Sequence, residues 1–296
     1  MAQPDTVTIV EVGPRDGFQL ESKVIPTDLK IEIIAGLAGA GLRHIQVASF
    51  VNPKRVPQMA DAEALVRGLP EAPGVTFFGL ALNTVGVNRA CRVGLSCVEV
   101  SISASDAHSR RNAGMPHEAA LEEGRRMVVL GREAGMMVTA SIQCAFGCVY
   151  EGEIPDSRVF RTARMFVDAG VARLTLADTT GMATPTQVER VLGGLTGAAD
   201  GVPLGLHLHD TRGLGLVNAV AGLQCGISFL DTAFGGLGGC PFVPGAAGNI
   251  ATEDTVYLME ALGVRSGVDW RRVASCSRRL SAFLGRDLPG KLYRMA

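Results

Sequence analysis

Eight short β-rich apolar runs recur along this chain of 296 residues, and they constrain its fold more than any other feature. They span residues 7–12, 44–48, 75–82, 97–102, 137–142, 172–177, 203–209 and 228–233. Segments with helical periodicity lie between the runs. Several of these segments end near a glycine that can take the left-handed conformation of a helix C-cap; these glycines are Gly41, Gly94, Gly135, Gly170 and Gly226. The pattern indicates a strand followed by a helix, repeated eight times.

This repeat favours a closed barrel of parallel strands. Parallel strands joined by helical crossovers need both faces covered, and eight such units in about 250 residues match a (β/α)8 TIM barrel. A doubly wound open sheet is the alternative, but EVGPRDG follows the first strand where a dinucleotide-binding fold would carry GxGxxG. We therefore predict an α/β protein with a catalytic (β/α)8 barrel over residues 1–264. A short C-terminal helical extension over residues 265–296 is expected to pack on it.

Charge and cysteine content narrow the classes of partner. The 28 Lys and Arg balance the 29 Asp and Glu, whereas nucleic acids and anionic membranes require clustered basic residues. No apolar run reaches the ~18 residues of a membrane span. The seven cysteines are odd in number and contain no CxxC, which argues against a disulfide framework and a zinc finger. We expect a cytoplasmic protein that binds neither nucleic acid nor membrane.

Polar residues gather at the ends of the predicted strands. They are Arg15, Asp16, Gln46, Ser49, Asn83, Ser101, Ser103, Gln143, Asp178, His207, His209, Cys240 and Asn249. In a (β/α)8 barrel the chemistry takes place at the carboxyl ends of the strands. So many polar groups there would cost desolvation free energy unless something binds to them. This end of the barrel is therefore the predicted site.

The strongest local signal is His207-Leu208-His209, because alternation along a strand places both imidazoles on one face. Such a pair serves either as core packing or as metal ligands. Asp16 would join them once the barrel closes, although an Asp-Gly turn is its other explanation. Asn249 could add an amide oxygen or cap the next helix. Two imidazoles, a carboxylate and an amide suit Mg²⁺ or Mn²⁺, with iron and zinc as alternatives.

Cys240 and Arg15 are two further candidates. Cys240 lies in FGGLGGCPFVPGAAGN, whose six glycines allow a moving loop to bring a thiol to bound substrate. The alternative is an incidental cysteine in a flexible surface loop. Arg15 would be a costly charge at the site unless an anion or a developing oxyanion meets it. A salt bridge from Arg15 to Glu11 or Asp178 is the competing explanation.

The chain resembles the 3-hydroxy-3-methylglutaryl-CoA lyase branch of the DRE-TIM metallolyases over nearly its whole length, to about residue 264. The resemblance rests on EVGPRDGFQLE, SFVNPKRVPQMAD, FGCVYEG, LADTTGMATP, HLHDTRGLGLVNA and GGLGGCPFVPGAAGNIATEDTVYLMEALG. It implies that a divalent metal is held by Asp16, His207, His209 and Asn249. It also implies that Arg15 stabilises a thioester enolate, that Asp178 and His207 move protons, and that Cys240 lies on a mobile catalytic loop. Glu253 is implied only as a supporting residue.

One position departs from the family pattern. The resembling lyases carry IExxSF in the second strand, whereas this chain reads IQVASF, so that Gln46 replaces a glutamate. The exchange keeps the size of the side chain but removes a negative charge and a proton acceptor. Gln46 therefore stays among the candidate catalytic residues, and the exact acyl group of the substrate stays open.

The resemblance implies cleavage of a 3-hydroxyacyl-CoA, such as 3-hydroxy-3-methylglutaryl-CoA, to acetyl-CoA and a keto acid. Three alternatives remain at this point. The substrate could be a relative such as citramalyl-CoA, as Gln46 suggests. The chain could instead be a Claisen-condensing acyltransferase acting on 2-oxo acids, or a catalytically silent barrel kept as an interaction module. The resemblance also implies a homodimer.

Overall fold

The computed structural model describes residues 4–195, 197, 199, 201–239 and 248–296. Its centre is a closed barrel of eight parallel strands that follow one another in chain order, which confirms the predicted fold class. The strands are β1 (Thr8–Glu11), β2 (His44–Ser49), β3 (Thr76–Ala81), β4 (Cys97–Ser103), β5 (Met137–Gln143), β6 (Leu174–Asp178), β7 (Leu204–Leu208) and β8 (Phe229–Thr232). Each strand lies within two residues of its predicted bounds at either end.

Helices follow the strands and cover the outside of the barrel. They are α1 (Thr27–Gly39), α2 (Ala62–Gly68), α3 (Thr84–Arg92), α4 (Asp106–Asn112), α5 (His117–Glu133), α6 (Asp156–Ala169), α7 (Pro185–Leu195), α8 (Gly215–Gln224), α9 (Thr252–Ala261) and α10 (Trp270–Leu284). The five glycines predicted to end helices all have positive φ. None of the helices in the described ranges is long and apolar enough to cross a bilayer.

Closure of the barrel depends on β1, which pairs with β2 on one side and with β8 on the other. The β1–β8 register runs from Thr8 opposite Phe229 to Glu11 opposite Thr232. Because every pairing is parallel, the carboxyl ends of all eight strands meet at one end of the barrel. We call this end the mouth.

The opposite end of the barrel is closed by a charged side chain between two aromatic rings. Arg173, which directly precedes β6, is 4% exposed, and its guanidinium lies 5.8 Å from the ring centre of Phe78 and 5.0 Å from that of Phe229. The Arg173 Nη2 atom is 3.6 Å from Glu99 Oε2 in β4. We call Arg173, Phe78 and Phe229 the floor.

The C-terminal segment packs against the barrel. The Cys276 Sγ atom on α10 lies 3.8 Å from the Ile33 carbonyl oxygen on α1. Residues just after α9 also join the first strand region, since the Val7 amide donates to the Arg265 carbonyl oxygen at 3.1 Å. Separation of the chain into a barrel to residue 264 and an extension from residue 265 stays a prediction.

Candidate active site

Three side chains able to hold a metal ion converge at the mouth: Asp16, His207 and His209. One ligand atom from each lies within 4.8 Å of the others. The two Nε2 atoms are 3.2 Å apart, and each lies 3.9 Å from Asp16 Oδ2. The structure therefore brings together the carboxylate that follows β1 and both imidazoles of the HLH segment.

The backbone places these groups in three ways. Asp16 lies in a single π-helical turn, Gly13–Gly17, that begins directly after β1. His207 belongs to β7, and its neighbour Leu206 faces outward, since a Cβ added to Gly222 on α8 would lie 2.4 Å from Leu206 Cδ1. His209 follows the end of β7 and forms an antiparallel bridge with Asn249. The chain that returns from the glycine-rich loop is thereby paired with the end of β7.

Asn249 contacts the same cluster through its amide. Its Nδ2 donates to Asp16 Oδ2 at 2.8 Å and to the Leu237 carbonyl oxygen at 2.9 Å. Its Oδ1 is buried and has no hydrogen-bond partner among the described residues. The alternative role as a helix cap is wrong, because α9 begins after Ala251 without a side-chain cap.

This donor set fits a divalent cation. Two imidazole nitrogens lie only 3.2 Å apart, a carboxylate lies beside them, and a buried amide oxygen has no hydrogen-bond partner among the described residues. Each of these four groups has a lone pair that a cation can accept. Oxygen and imidazole donors of this kind suit Mg²⁺, Mn²⁺ or another first-row divalent ion.

His207 is oriented by Asp231, a residue that the sequence reasoning did not single out. The Nδ1 atom of His207 lies 3.4 Å from Asp231 Oδ2, and Asp231 is 2% exposed. A carboxylate at this distance holds the proton on Nδ1 and leaves the Nε2 lone pair facing Asp16. Burial lowers the pKa of His207, but the Asp231 hydrogen bond and the Asp16 charge outweigh it and raise that pKa above its ordinary value.

Arg15 lies beside the cluster, 8% exposed, and is held from two sides. Its Nη1 donates to Asp16 Oδ1, and its Nε donates to Gln46 Oε1. Gln46 is fully buried, and its Nε2 donates to Glu99 Oε1 at 3.2 Å. The Asp16 carboxylate lies between this guanidinium and the imidazoles, and Arg15 holds the pKa of Asp16 well below its usual range in spite of burial.

The competing explanation for Arg15, a salt bridge to Glu11 or Asp178, is wrong. Glu11 instead accepts hydrogen bonds from the backbone amides of Gly13 at 2.8 Å and Phe234 at 3.0 Å. Asp178, 1% exposed at the end of β6, accepts from the Met182 amide at 2.7 Å. Burial raises the pKa of Asp178, and nearby His209 opposes this effect.

A cavity of about 160 Å³ opens beside the metal-ligand cluster. Its polar lining consists of Arg15, Asp16, Gln19, Ser49, Glu99, Ser101, His108, Asn112, Ser141, Gln143, Thr179, His207, His209 and Asp231. Among the described residues, neither Gln46 nor Asp178 belongs to this lining. Asn83, also expected near the site, instead caps α3 by accepting from the Gly86 amide at 2.9 Å.

The glycine-rich segment begins close to the cluster. A Cβ at Gly238 would lie 2.5 Å from Asn249 Nδ2 and 3.2 Å from Asp16 Oδ2, so only glycine lets the backbone pass there. Glu253 anchors the start of this segment, since its Oε2 accepts from the Gly235 amide at 2.9 Å and Ser277 donates to its Oε1. Cys240 lies outside the described residues.

Comparisons with known proteins place the chain among lyases. The HMGL-like family model matches residues 6–280. The chain is 38% identical to a hydroxymethylglutaryl-CoA lyase of Bacillus subtilis, over 98% of this chain and 97% of that protein. It is 41% identical to an (R)-citramalyl-CoA lyase of Chloroflexus aurantiacus, over 96% and 93%. A solved HMG-CoA lyase of Acinetobacter baumannii, in complex with coenzyme A and 3-methylmalate, superposes with a TM-score of 0.94 at 37% identity, covering 99% and 96%.

Proposed function

We propose that this chain, which belongs to the HMGL-like family, is a carbon–carbon lyase that depends on a divalent metal and cleaves a 3-hydroxyacyl-CoA of the 3-hydroxy-3-methylglutaryl-CoA type. The products are acetyl-CoA and a keto acid. The observation that carries the proposal is the cluster of Asp16, His207 and His209 beside Arg15, in the mouth of a barrel that is similar to such lyases over its full length.

The reaction breaks the bond between carbons 2 and 3 of the acyl group. The 3-hydroxyl loses its proton and becomes a ketone, the bonding electrons pass to carbon 2 and the thioester oxygen, and carbon 2 then takes up a proton. Asp16, His207, His209 and Asn249 are the residues that would hold the cation, which when bound lowers the pKa of a coordinated hydroxyl group.

The remaining roles follow from the position of each side chain. His207 lines the cavity with its Nδ1 held by Asp231, and we assign it to proton transfer. Arg15 lines the same cavity and meets the negative charge that develops on the thioester oxygen. Asp178, whose carboxylate also accepts from the Met182 amide, is proposed to move protons together with His207, as the resemblance implies. Cys240 is the proposed proton donor to carbon 2, from the glycine-rich loop.

Citramalyl-CoA is the second candidate substrate. Two points favour it: Gln46 departs from the glutamate of the family pattern that this chain resembles, and a citramalyl-CoA lyase is 41% identical to this chain. The comparisons lend no support to the condensing acyltransferase or to the silent barrel, because the similar proteins are named as lyases.

A substrate panel tests the proposal. Purified protein with Mg²⁺ or Mn²⁺ is expected to release acetyl-CoA from 3-hydroxy-3-methylglutaryl-CoA, citramalyl-CoA or both, and His209→Ala is the inactive control. No cleavage of either thioester would contradict the lyase proposal. Gln46→Glu is expected to shift the ratio of kcat/KM toward 3-hydroxy-3-methylglutaryl-CoA, and an unchanged ratio would show that this position does not select the substrate.

The homodimer, the cytosolic location and the choice of Mg²⁺ or Mn²⁺ belong to the same proposal. The cysteines in the described ranges are free thiols, as in proteins of a reducing compartment. Light scattering of the purified protein tests the dimer, and activity recovered by each ion after chelation tests the metal.

A further inference from the structure

We infer that Glu99 is a positioning residue of this site: by accepting a hydrogen bond from Gln46, it fixes the Gln46 amide so that its oxygen faces Arg15. The juxtaposition that carries the inference is Arg15 Nε to Gln46 Oε1, followed by Gln46 Nε2 to Glu99 Oε1 at 3.2 Å. These contacts place a carboxylate on β4 one side chain away from Arg15.

The first step concerns the amide itself. The oxygen and nitrogen of a glutamine amide are nearly equal in size, so only its partners decide which one points toward Arg15. Arg15 can only donate, and therefore needs the oxygen. Glu99 can accept in either protonation state, and its oxygen holds the Gln46 nitrogen on the opposite side. In the described contacts of Gln46, Arg15 holds the oxygen and Glu99 holds the nitrogen, so loss of the Glu99 acceptor would leave Arg15 alone to orient the amide.

The second step concerns the backbone under Gln46. The register of β2 on β3 shifts between Gln46 and Ala48, as in a β-bulge. Bulges redirect side chains and are common beside active sites. Gln46 is fully buried and lies outside the cavity lining, so water does not compete for its amide, whereas Glu99 is 3% exposed and lines the cavity. The shift therefore orients a short hydrogen-bonded chain across the barrel interior.

The third step concerns the far side of Glu99. Its Oε2 has no hydrogen-bond partner among the described residues but lies 3.6 Å from Arg173 Nη2 of the floor. Burial raises the pKa of Glu99, as does the Asp231 charge, and Arg173 opposes them. Glu99 thus lies between two guanidinium groups: that of Arg173, which is 3.6 Å away, and that of Arg15, which contacts Glu99 only through Gln46.

The consequence is for Arg15. Two of its three nitrogens are held, by Gln46 and by Asp16, which leaves the guanidinium fixed in the cavity lining where negative charge develops. A group that is fixed before the reaction stabilises a developing charge better than one that must reorient. Loss of the Glu99 contact is therefore expected to lower kcat more than it raises KM.

The test is a charge swap between the two positions. Glu99→Gln alone keeps an oxygen that can accept from Gln46 but removes the negative charge between the Arg15 and Arg173 guanidinium groups. Gln46→Glu alone places two carboxyl groups in contact, which is unfavourable. We expect each single variant to lose about 10-fold or more in kcat. The double variant Q46E/E99Q restores one acceptor toward Arg15 and one donor between the pair. It is expected to return to within about 3-fold of the wild type, a non-additive result typical of residues in contact.

A second readout does not require activity. The melting temperature of the metal-free protein is expected to fall in both single variants and to recover in the double variant. The kcat measurement rests on the proposed function, whereas the melting temperature does not. An inactive wild type would therefore count against the lyase proposal, and the melting temperatures would still test the contact between Gln46 and Glu99. Glu118→Gln, at an exposed carboxylate on α5, is the matched control and should keep wild-type values.

Two results would overturn the inference. One is a double variant whose losses in kcat and melting temperature equal the combined losses of the single variants. The other is a pair of single variants that behave like the wild type. If a single variant does not fold, a folded double variant supports the pairing and an unfolded double variant contradicts it.

Discussion

The mouth and the floor of the barrel both bury charged side chains, but in opposite ways. At the mouth, Asp16, His207 and His209 direct ligand atoms toward one another beside an open cavity. At the floor, the Arg173 guanidinium is covered by two aromatic faces. Converging polar groups cost free energy of folding unless a ligand binds, whereas a paired and covered charge can close a barrel. The difference indicates that the mouth is built for binding and the floor for stability.

Substitution of a mouth ligand should separate activity from stability most strongly. His209→Ala is expected to lower kcat by about 1,000-fold or more, because an interaction used in the transition state is removed. The melting temperature of the metal-free protein should stay within about 2–4 °C of the wild type, since the convergence that disfavours folding is relieved. Steady-state kinetics and calorimetry check both values. A variant whose melting temperature falls far below that of the wild type while its kcat is unchanged would reverse the assignment of the mouth.

Substitution at the floor should do the opposite. Arg173→Met leaves Glu99 buried without its cation, and breaking such a pair costs about 3–5 kcal/mol of the free energy of unfolding. Urea denaturation measures the loss, and isothermal titration with Mn²⁺ is expected to give unchanged affinity. Arg173→Lys is the control that keeps the charge and should lose less. The comparison fails if Arg173→Met is as stable as the wild type or no longer binds metal.

A smaller effect, on metal affinity, is expected at Asp231, which contacts the predicted ligand His207. Asp231→Asn removes the carboxylate that orients the His207 imidazole, and such outer partners contribute about 10–100-fold in metal affinity. Titration of metal-free protein with Mn²⁺ measures this change, with the exposed Asp106→Asn as the matched control. Equal affinity in the Asp231 and Asp106 variants would mean that Asp231 does not orient His207.

The smallest effect concerns pH and the wall of the mouth. Burial lowers the pKa of His108, which lines the cavity, to about 4, against about 6.5 in an unfolded chain. A depressed folded pKa means that stability is complete above pH 6.5 and is lost as the pH falls toward 4. Between pH 7 and 4.5, the wild type should therefore lose about 2 kcal/mol more than His108→Gln. Urea denaturation at both pH values gives this difference, and parallel losses in the two proteins would contradict it.

The barrel could be predicted from the sequence because each of its strands carries a local signal. An apolar run of strand length followed by a helical period is visible without tertiary contacts, and so is the alternation that puts His207 and His209 on one face. The contacts that position Arg15 could not be predicted in the same way. Gln46 and Glu99 lie 53 positions apart and meet across the barrel interior, which depends on closure and on the shift near Ala48.

Three buried carboxylates, those of Glu11, Glu99 and Asp231, show the same limit. Glu11 was one alternative partner for Arg15, but its carboxylate accepts from the backbone amides of Gly13 and Phe234 instead. An acidic residue inside an apolar run was the available signal for Glu99 and Asp231, since inward alternation applies to them as it does to His207. That signal predicts a buried carboxylate but not its partner.

The central claim is that Asp16, His207 and His209 hold one divalent cation at the mouth. Crystals soaked in Mn²⁺ test it most directly through anomalous diffraction, with His209→Ala crystals as the comparison. The account predicts one anomalous peak per chain at about 2.0–2.3 Å from a carboxylate oxygen of Asp16 and from the Nε2 atoms of both histidines, and its loss or weakening in the variant. A wild-type crystal without a peak among these three residues, or with its strongest peak elsewhere in the barrel, would contradict it.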